Sequence, residues 1–257
     1  MSNLENKTVI VTGGGSGLGR SVCIEYARQK ANVVFCGRRE KEGNETLEVL
    51  KTIHSKAVFV KTDITNEKDV QSLVWTALDR FGSVDILVNN AAVSGKKGRI
   101  ADLSLDEFQE IVDINLKGAW LCMKYCIPEM LKKGKGSIVN VSSAAGMVGV
   151  AFGAGIYSAT KHALVGLSKS GALEYGAKGI RVNAVCPGTF QTEMLDWIFN
   201  NSPDPEKARQ KIIDANPVKR IAGAEEIANV IVWISSDSAS FVNGAVLPVD
   251  GDLLLDE

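Results

Sequence analysis

The sequence predicts a doubly wound α/β fold: a seven-stranded parallel sheet in the order 3-2-1-4-5-6-7, with helices on both faces. Three observations predict it. Short Val- and Ile-rich runs alternate with amphipathic stretches over nearly the whole chain. The runs are apolar at consecutive positions, as in strands buried on both faces. Strand–helix alternation repeated this often builds a parallel sheet through right-handed crossovers. No linker or low-complexity segment interrupts it, so residues 1–257 read as one domain. A domain of this size buries roughly 70–75% of its unfolded surface and needs no disulfide or metal to hold a core.

In chain order, the first strand is expected at 7–12 and runs into Thr12-Gly13-Gly14-Gly15-Ser16-Gly17-Leu18-Gly19. A helix near 17–30 follows, carrying Leu18, Val22, Ile24, Tyr26 and Ala27. The second strand, 32–36, ends in Gly37-Arg38-Arg39 and leads to a helix near 40–54. The third, 57–61, is followed by Asp63 and Ile64 and a helix near 66–82. The fourth, 85–89, ends in Asn89-Asn90-Ala91-Ala92, and the helix near 104–132 carries Asn115. The fifth, 137–141, delivers Ser143, and the helix near 155–177 carries Tyr157 and Lys161 one turn apart. The sixth, 181–186, exits through Pro187-Gly188. Residues 189–223 hold no strand, three prolines and a helix-like piece around Trp197 and Phe199. So long an insertion in a compact domain is usually functional, and we read it as a lid over a ligand site. A helix near 223–236 and a strand at 245–249 complete the sheet.

The net charge is -1, from 29 basic and 30 acidic residues, with no basic face to meet nucleic acid. Five cysteines, an odd number without a CxxC pair, read as buried thiols of a reducing compartment. With only two histidines, a metal centre is not expected. Neither a secretory leader nor an apolar run of roughly 20 residues, the length of a membrane span, is present, so a cytosolic location is expected.

The turn after the first strand fits TGxxxGxG rather than GxGxxG. Its glycines allow a sharp entry into a helix and the close approach of a diphosphate to free N–H groups. With Asp63, Asn89-Asn90-Ala91-Ala92, Asn115, Ser143, Tyr157-Ser-Ala-Thr-Lys161 and Pro187-Gly188 in order, residues 7–251 resemble the short-chain dehydrogenase/reductase family, a Rossmann fold. Ala92 stands where that family often has glycine, and Ser143 and Tyr157 are one residue further apart than is usual.

The resemblance implies an oxidoreductase that interconverts a secondary alcohol and a ketone with a nicotinamide dinucleotide. Tyr157 would be the acid–base, Lys161 would hold the ribose and favour the phenolate, Ser143 would steady the substrate oxygen, and Asn115 would anchor a water. The implied cofactor contacts are Gly13, Ser16, Gly17, Leu18, Gly19, Arg38, Arg39, Asp63, Ile64, Asn89, Ala91, Tyr157, Lys161, Pro187, Gly188, Thr189 and Thr192. His162 points about 100° away around the helix and reads as structural. Gly37 stands where an NAD site usually places a carboxylate, and Arg38 or Arg39 can pair with a 2′-phosphate, so NADP is expected, with NAD possible.

Ser16 stands where many NADP-preferring relatives carry a second basic residue. The expected pocket walls, Val93, Ser94, residues 145–152, Met194, Leu195 and Trp197, are largely apolar. Lys96, Lys97 and Arg99 read as a solvated loop. A small alcohol or ketone is the expected substrate, and a homotetramer is implied. A dinucleotide-binding regulator without turnover, and an epimerase or dehydratase, are the alternative readings.

Overall fold

Strand residues alternate between two apolar layers, and that alternation organises the molecule. The computed structural model describes residues 4–251 apart from Ser55 and Phe152. In it β1 (Thr8–Thr12) sends Val9 and Val11 into one layer and Ile10 into the other. β2 (Asn32–Gly37) does the same with Val33 and Phe35 against Val34 and Cys36. With β3 (Ala57–Lys61), β4 (Ile86–Asn89), β5 (Gly136–Val141), β6 (Ile180–Pro187) and β7 (Val246–Val249), they form a seven-stranded sheet in the order β3-β2-β1-β4-β5-β6-β7. Every pairing is parallel. All seven carboxyl ends therefore meet at one edge, and the expected topology is borne out.

One layer packs α1 (Gly17–Arg28), α2 (Glu40–Ile53) and α9 (Ala224–Ser235) through Val22, Tyr26, Leu50, Ile227 and Ile231. The other packs α3 (Glu67–Phe81), α5 (Gly118–Lys133) and α6 (Gly155–Tyr175) through Leu73, Cys122, Met130 and Ala172. Local chemistry sets the ends. Asn66 accepts from the backbone N–H groups of Lys68 and Asp69 to start α3, and Gly82, at φ 77°, stops it. Ser104 and Glu107 form a capping box before α4 (Leu105–Val112). All five cysteines are free and buried. No helix among the described residues is long and apolar enough to cross a membrane.

Two expectations change. The helix read across 104–132 is α4 and α5 joined by a π turn, Asp113–Lys117, which holds Asn115. The backbone stays right-handed helical at Val112, Asp113, Lys117 and Gly118, so apolar spacing alone does not mark the change. The segment 189–223 holds α7 (Glu193–Asn200), the helical piece expected around Trp197 and Phe199, and a second helix that was not expected, α8 (Pro205–Ala215). A parallel bridge, Phe190 to Ala222, closes it at the base. Asp204 caps α8 through the Lys207 N–H and Pro205 occupies its first turn, a helix start legible in the sequence but not expected from it.

Helix α1 is tied to α9 by the buried Tyr26 hydroxyl, 2.7 Å from Oγ of Ser235 across 209 residues. Tyr26→Phe removes that bond while Ser235 keeps its own to the Val232 carbonyl. The variant is expected to lose about 1 kcal/mol in urea unfolding and to keep its fold.

Candidate active site

The glycine turn is built for close approach. Gly13 and Gly17 adopt φ of +68° and +51°. A Cβ on Gly19 would stand 2.1 Å from the Gly13 carbonyl oxygen, whereas one on Gly17 would meet nothing within 4 Å. Thr12 clamps the turn to the exit of β4: its Oγ1 accepts from the N–H groups of Asn90 and Ala91, both at 3.0 Å. The Asn90 amide returns a bond to the Thr12 carbonyl at 2.9 Å. At the start of α1, Ser16 makes no side-chain cap and the first turn holds no acid. The helix N-terminus thus presents N–H groups and a positive dipole end toward the cleft without an internal counter-charge.

That cleft, about 350 Å³, lies at the carboxyl ends of β1, β2 and β4. It is lined by Gly13, Ser16, Leu18, Gly19, Arg38, Arg39, Asp63, Ile64 and Ala91, all expected there, and by Glu42, Asn90 and Ala92. Asn89 is a correction. It is buried away from the cleft, donating to Asn140 Oδ1 at 2.8 Å and to the Ala119 carbonyl at 3.3 Å, because neighbouring residues at a strand end face opposite ways. Its neighbour Asn90 takes the cleft position.

Pro187, the last residue of β6, and Gly188, Thr189 and Thr192 after it lie beyond the lining of this cleft. The Gly188 N–H donates to the Val249 carbonyl at 3.1 Å, and Thr189 lines a separate hollow of about 240 Å³. Thr192 Oγ1 accepts from the Leu195 N–H at 3.1 Å.

Ser143, Tyr157 and Lys161 come together at the same edge. Lys161 is 2% exposed, and its Nζ lies 5.6 Å from the centroid of the Tyr157 ring. Of its three donors one is used, to the Val141 carbonyl at 2.8 Å. Burial pushes its pKa down to about 8, with Cys186 opposing. Two spare donors on a buried cation are what a pair of ribose hydroxyls would satisfy, and the unanswered start of α1 suits a diphosphate, so the residues present fit a dinucleotide.

The phenol of Tyr157 is raised above its ordinary value by burial, and a side-chain hydrogen bond with Ser143 pulls it back. The expected lowering by Lys161 is not seen here: burial sets the direction, and Ser143 is the group that opposes it. Ser143 Oγ also accepts from the Ala145 N–H at 3.2 Å. Asn115 donates to the Val93 carbonyl at 2.9 Å and to Thr160 Oγ1 at 3.2 Å, and accepts from the Val93 N–H at 2.8 Å. His162 turns back to the Ser158 carbonyl at 3.0 Å, a structural role.

Beside this group the loops after β4 and β5 are joined by a bond from the Gly98 N–H to the Gly153 carbonyl at 3.2 Å. They expose Ile100, Met147 and Val150. Lys96 is answered by Glu107 at 2.8 Å. Phe152 and the side chains of Met194 and Trp197, expected as pocket walls, lie outside the described residues.

Comparison with known proteins follows from this geometry. The family model described as Enoyl-(Acyl carrier protein) reductase matches residues 13–252. A 2,5-dichloro-2,5-cyclohexadiene-1,4-diol dehydrogenase of Sphingobium indicum is 42% identical, over 98% of both chains. Cyclohexanol dehydrogenase of an Acinetobacter species is 33% identical, over 98% of this chain and 96% of its own. The crystal structure of levodione reductase superposes with a TM-score of 0.94 at 32% identity, covering 99% of this chain and 100% of that one.

A buried ammonium held near 8 makes a prediction about stability. Below that pH the lysine is charged both folded and unfolded, and folding bears the cost of burying it. From about 8 up to the ordinary 10.5 the folded chain releases the proton first, so stability rises with pH. Lys161→Met is therefore expected to unfold at higher urea than the parent at pH 7, by about 1–3 kcal/mol. The gap should narrow as the pH approaches 10.5. A gap that widens on the alkaline side would contradict the buried-cation reading.

Proposed function

The chain belongs to the short-chain dehydrogenase/reductase family and is an NAD(P)-dependent oxidoreductase, and from that premise we propose that Ser143, Tyr157 and Lys161 carry its alcohol–ketone chemistry. The observation behind this is one compact group: Ser143 near enough to the Tyr157 phenol to pull its pKa down, and a buried ammonium against the same ring, at the carboxyl edge of the sheet.

When bound, the nicotinamide dinucleotide gives or takes the hydride. The protein's part is the proton and its position. In reduction Tyr157 Oη donates a proton to the substrate oxygen, and in oxidation it accepts one. Ser143 Oγ steadies that oxygen as charge develops on it. Lys161, with two donors to spare, binds the ribose and favours the phenolate once the site is filled. Asn115 is a positioning residue. Both N–H groups of its amide are engaged, so a water anchored there is held by its main-chain carbonyl.

The substrate we propose is a six-membered ring bearing a secondary alcohol or ketone. The names of the cyclohexadiene-diol and cyclohexanol dehydrogenases, and the apolar rim of Ile100, Met147 and Val150, support it. The segment 189–223 acts as the lid, hinged where Phe190 meets Ala222. Within one domain, 1–257, NADP is the preferred dinucleotide and NAD a possible one. Gly37 leaves open space at the ribose end, where Arg38 is free to meet a 2′-phosphate. The cofactor role extends to Thr189 and Thr192 as the lid closes. Assembly as a homotetramer is supported by exposed Trp120 on α5, Leu173 on α6, Trp233 on α9 and Phe241 ahead of β7, and a cytosolic location belongs to the same reading.

Tyr157→Phe tests the central claim. Turnover of a cyclic ketone, read at 340 nm with NADPH and with NADH, is expected to fall roughly 10²–10⁴-fold, while dinucleotide affinity changes little. Retained turnover would remove Tyr157 as the acid–base and favour another proton donor.

A further inference from the structure

We propose that Glu42 is a specificity-determining residue for the dinucleotide. It holds Arg39 in a clasp across the ribose end of the cleft, so that a 2′-phosphate must compete with a carboxylate for that guanidinium. The inference rests on the cleft being the dinucleotide site, and deepens that reading.

Arg39 precedes α2 and Glu42 lies in its first turn. One guanidinium nitrogen of Arg39 stands 2.9 Å from Oε1 of Glu42. Another donates to Ser16 Oγ, also at 2.9 Å. All three residues line the cleft. The seam beneath them is close-packed: a Cβ on Gly15 would come within 3.3 Å of the Gly43 nitrogen and 3.5 Å of Cβ of Glu42. Glu42 is the more buried member of the ion pair, its side chain 30% exposed against 61% for Arg39. Arg39 thus fills the place beside Ser16, where a second basic residue would otherwise serve, but its charge is already answered. Arg38 makes no ion pair or side-chain hydrogen bond among the described residues and also lines the cleft.

The two dinucleotides meet this arrangement differently. A ribose 2′-hydroxyl is uncharged and asks nothing of Arg39. A 2′-phosphate is drawn by Arg38, repelled by Glu42, and gains a paired fork from Arg39 only by displacing the carboxylate. Glu42 therefore sets the margin between the two cofactors without touching the reacting atoms.

The test is equilibrium titration of the intact chain with 2′,5′-ADP and 5′-AMP, which present the ribose end with and without the 2′-phosphate and cannot turn over. Glu42→Gln keeps the shape and removes the charge. It is expected to tighten 2′,5′-ADP about tenfold and to move 5′-AMP less than about twofold. In the double variant Arg39→Ala with Glu42→Gln, compared with Arg39→Ala alone, most of the gain is expected to disappear, because the released guanidinium is absent and only the relief of repulsion remains. Equal shifts for both nucleotides, no shift in either, or a full tenfold gain without Arg39 would each overturn the proposal. If the parent binds neither nucleotide, the reading of the cleft falls and the clasp with it. If the parent binds both and Glu42→Gln leaves their ratio unchanged, only the clasp falls.

Discussion

The structure depends on keeping one ammonium charged in a dry place. Lys161 is almost wholly buried, bonded once, and flanked by the Tyr157 ring and the carboxyl end of β5. Burying a cation with unfilled donors is costly, and the surrounding fold has to hold it there. It does so with rigid parts. Ser142 Oγ bonds the Lys161 carbonyl at 2.8 Å, and Thr160 bonds both Asn115 and the Tyr157 carbonyl. The lysine backbone is thereby pinned between the strand that carries Ser143 and the π turn that carries Asn115. A loosely held lysine would swing its head to water; a pinned one keeps two donors aimed where a ligand can use them.

The same logic explains the two halves of the edge. At the β1–β2 side the protein offers glycine, backbone N–H groups and arginines, and in the loops after β4 and β5 it offers apolar rims. On the apolar side Lys96 is answered within the protein by Glu107, whose carboxyl is held down to about 2 by that lysine and by the cap at Ser104. On the proposed reading, charge is recognised at the β1–β2 side, the chemistry lies in the middle, and the apolar rim meets the substrate mainly by shape.

The fold was legible because parallel strands buried on both faces write their apolar character at consecutive positions, as Val9, Ile10 and Val11 do. The residues proposed to react were legible because Tyr157 and Lys161 share one helical turn and Ser143 follows the end of a strand. What escaped was set by contacts distant in the chain or by small changes of backbone register. The π turn at Asn115 shifts hydrogen bonding while leaving helical dihedrals at its ends. Asn89 and Asn90 face opposite sides of a strand end, and Asn90 is tied by its N–H to the Thr12 hydroxyl, 78 residues away in the chain. The rise of the Tyr157 phenol depends on how deeply its helix sinks against the sheet, which helical spacing does not record.

That last difference bears on how the site works. A phenol pushed up by burial is a poor base before ligands arrive, and a lysine pushed down to about 8 is still charged at neutral pH but gives up its proton more readily than an exposed one. Both departures come from desolvation, which disfavours the phenolate and the ammonium separately. The two charged forms stabilise one another, so they favour being formed together. On the proposed mechanism, Tyr157 would lose its proton more readily beside a positively charged ring and keep it beside a neutral one. The burial that raises one pKa and lowers the other would then tie the proton on Tyr157 to the charge of the bound ring, which a solvent-exposed pair at ordinary values would not do.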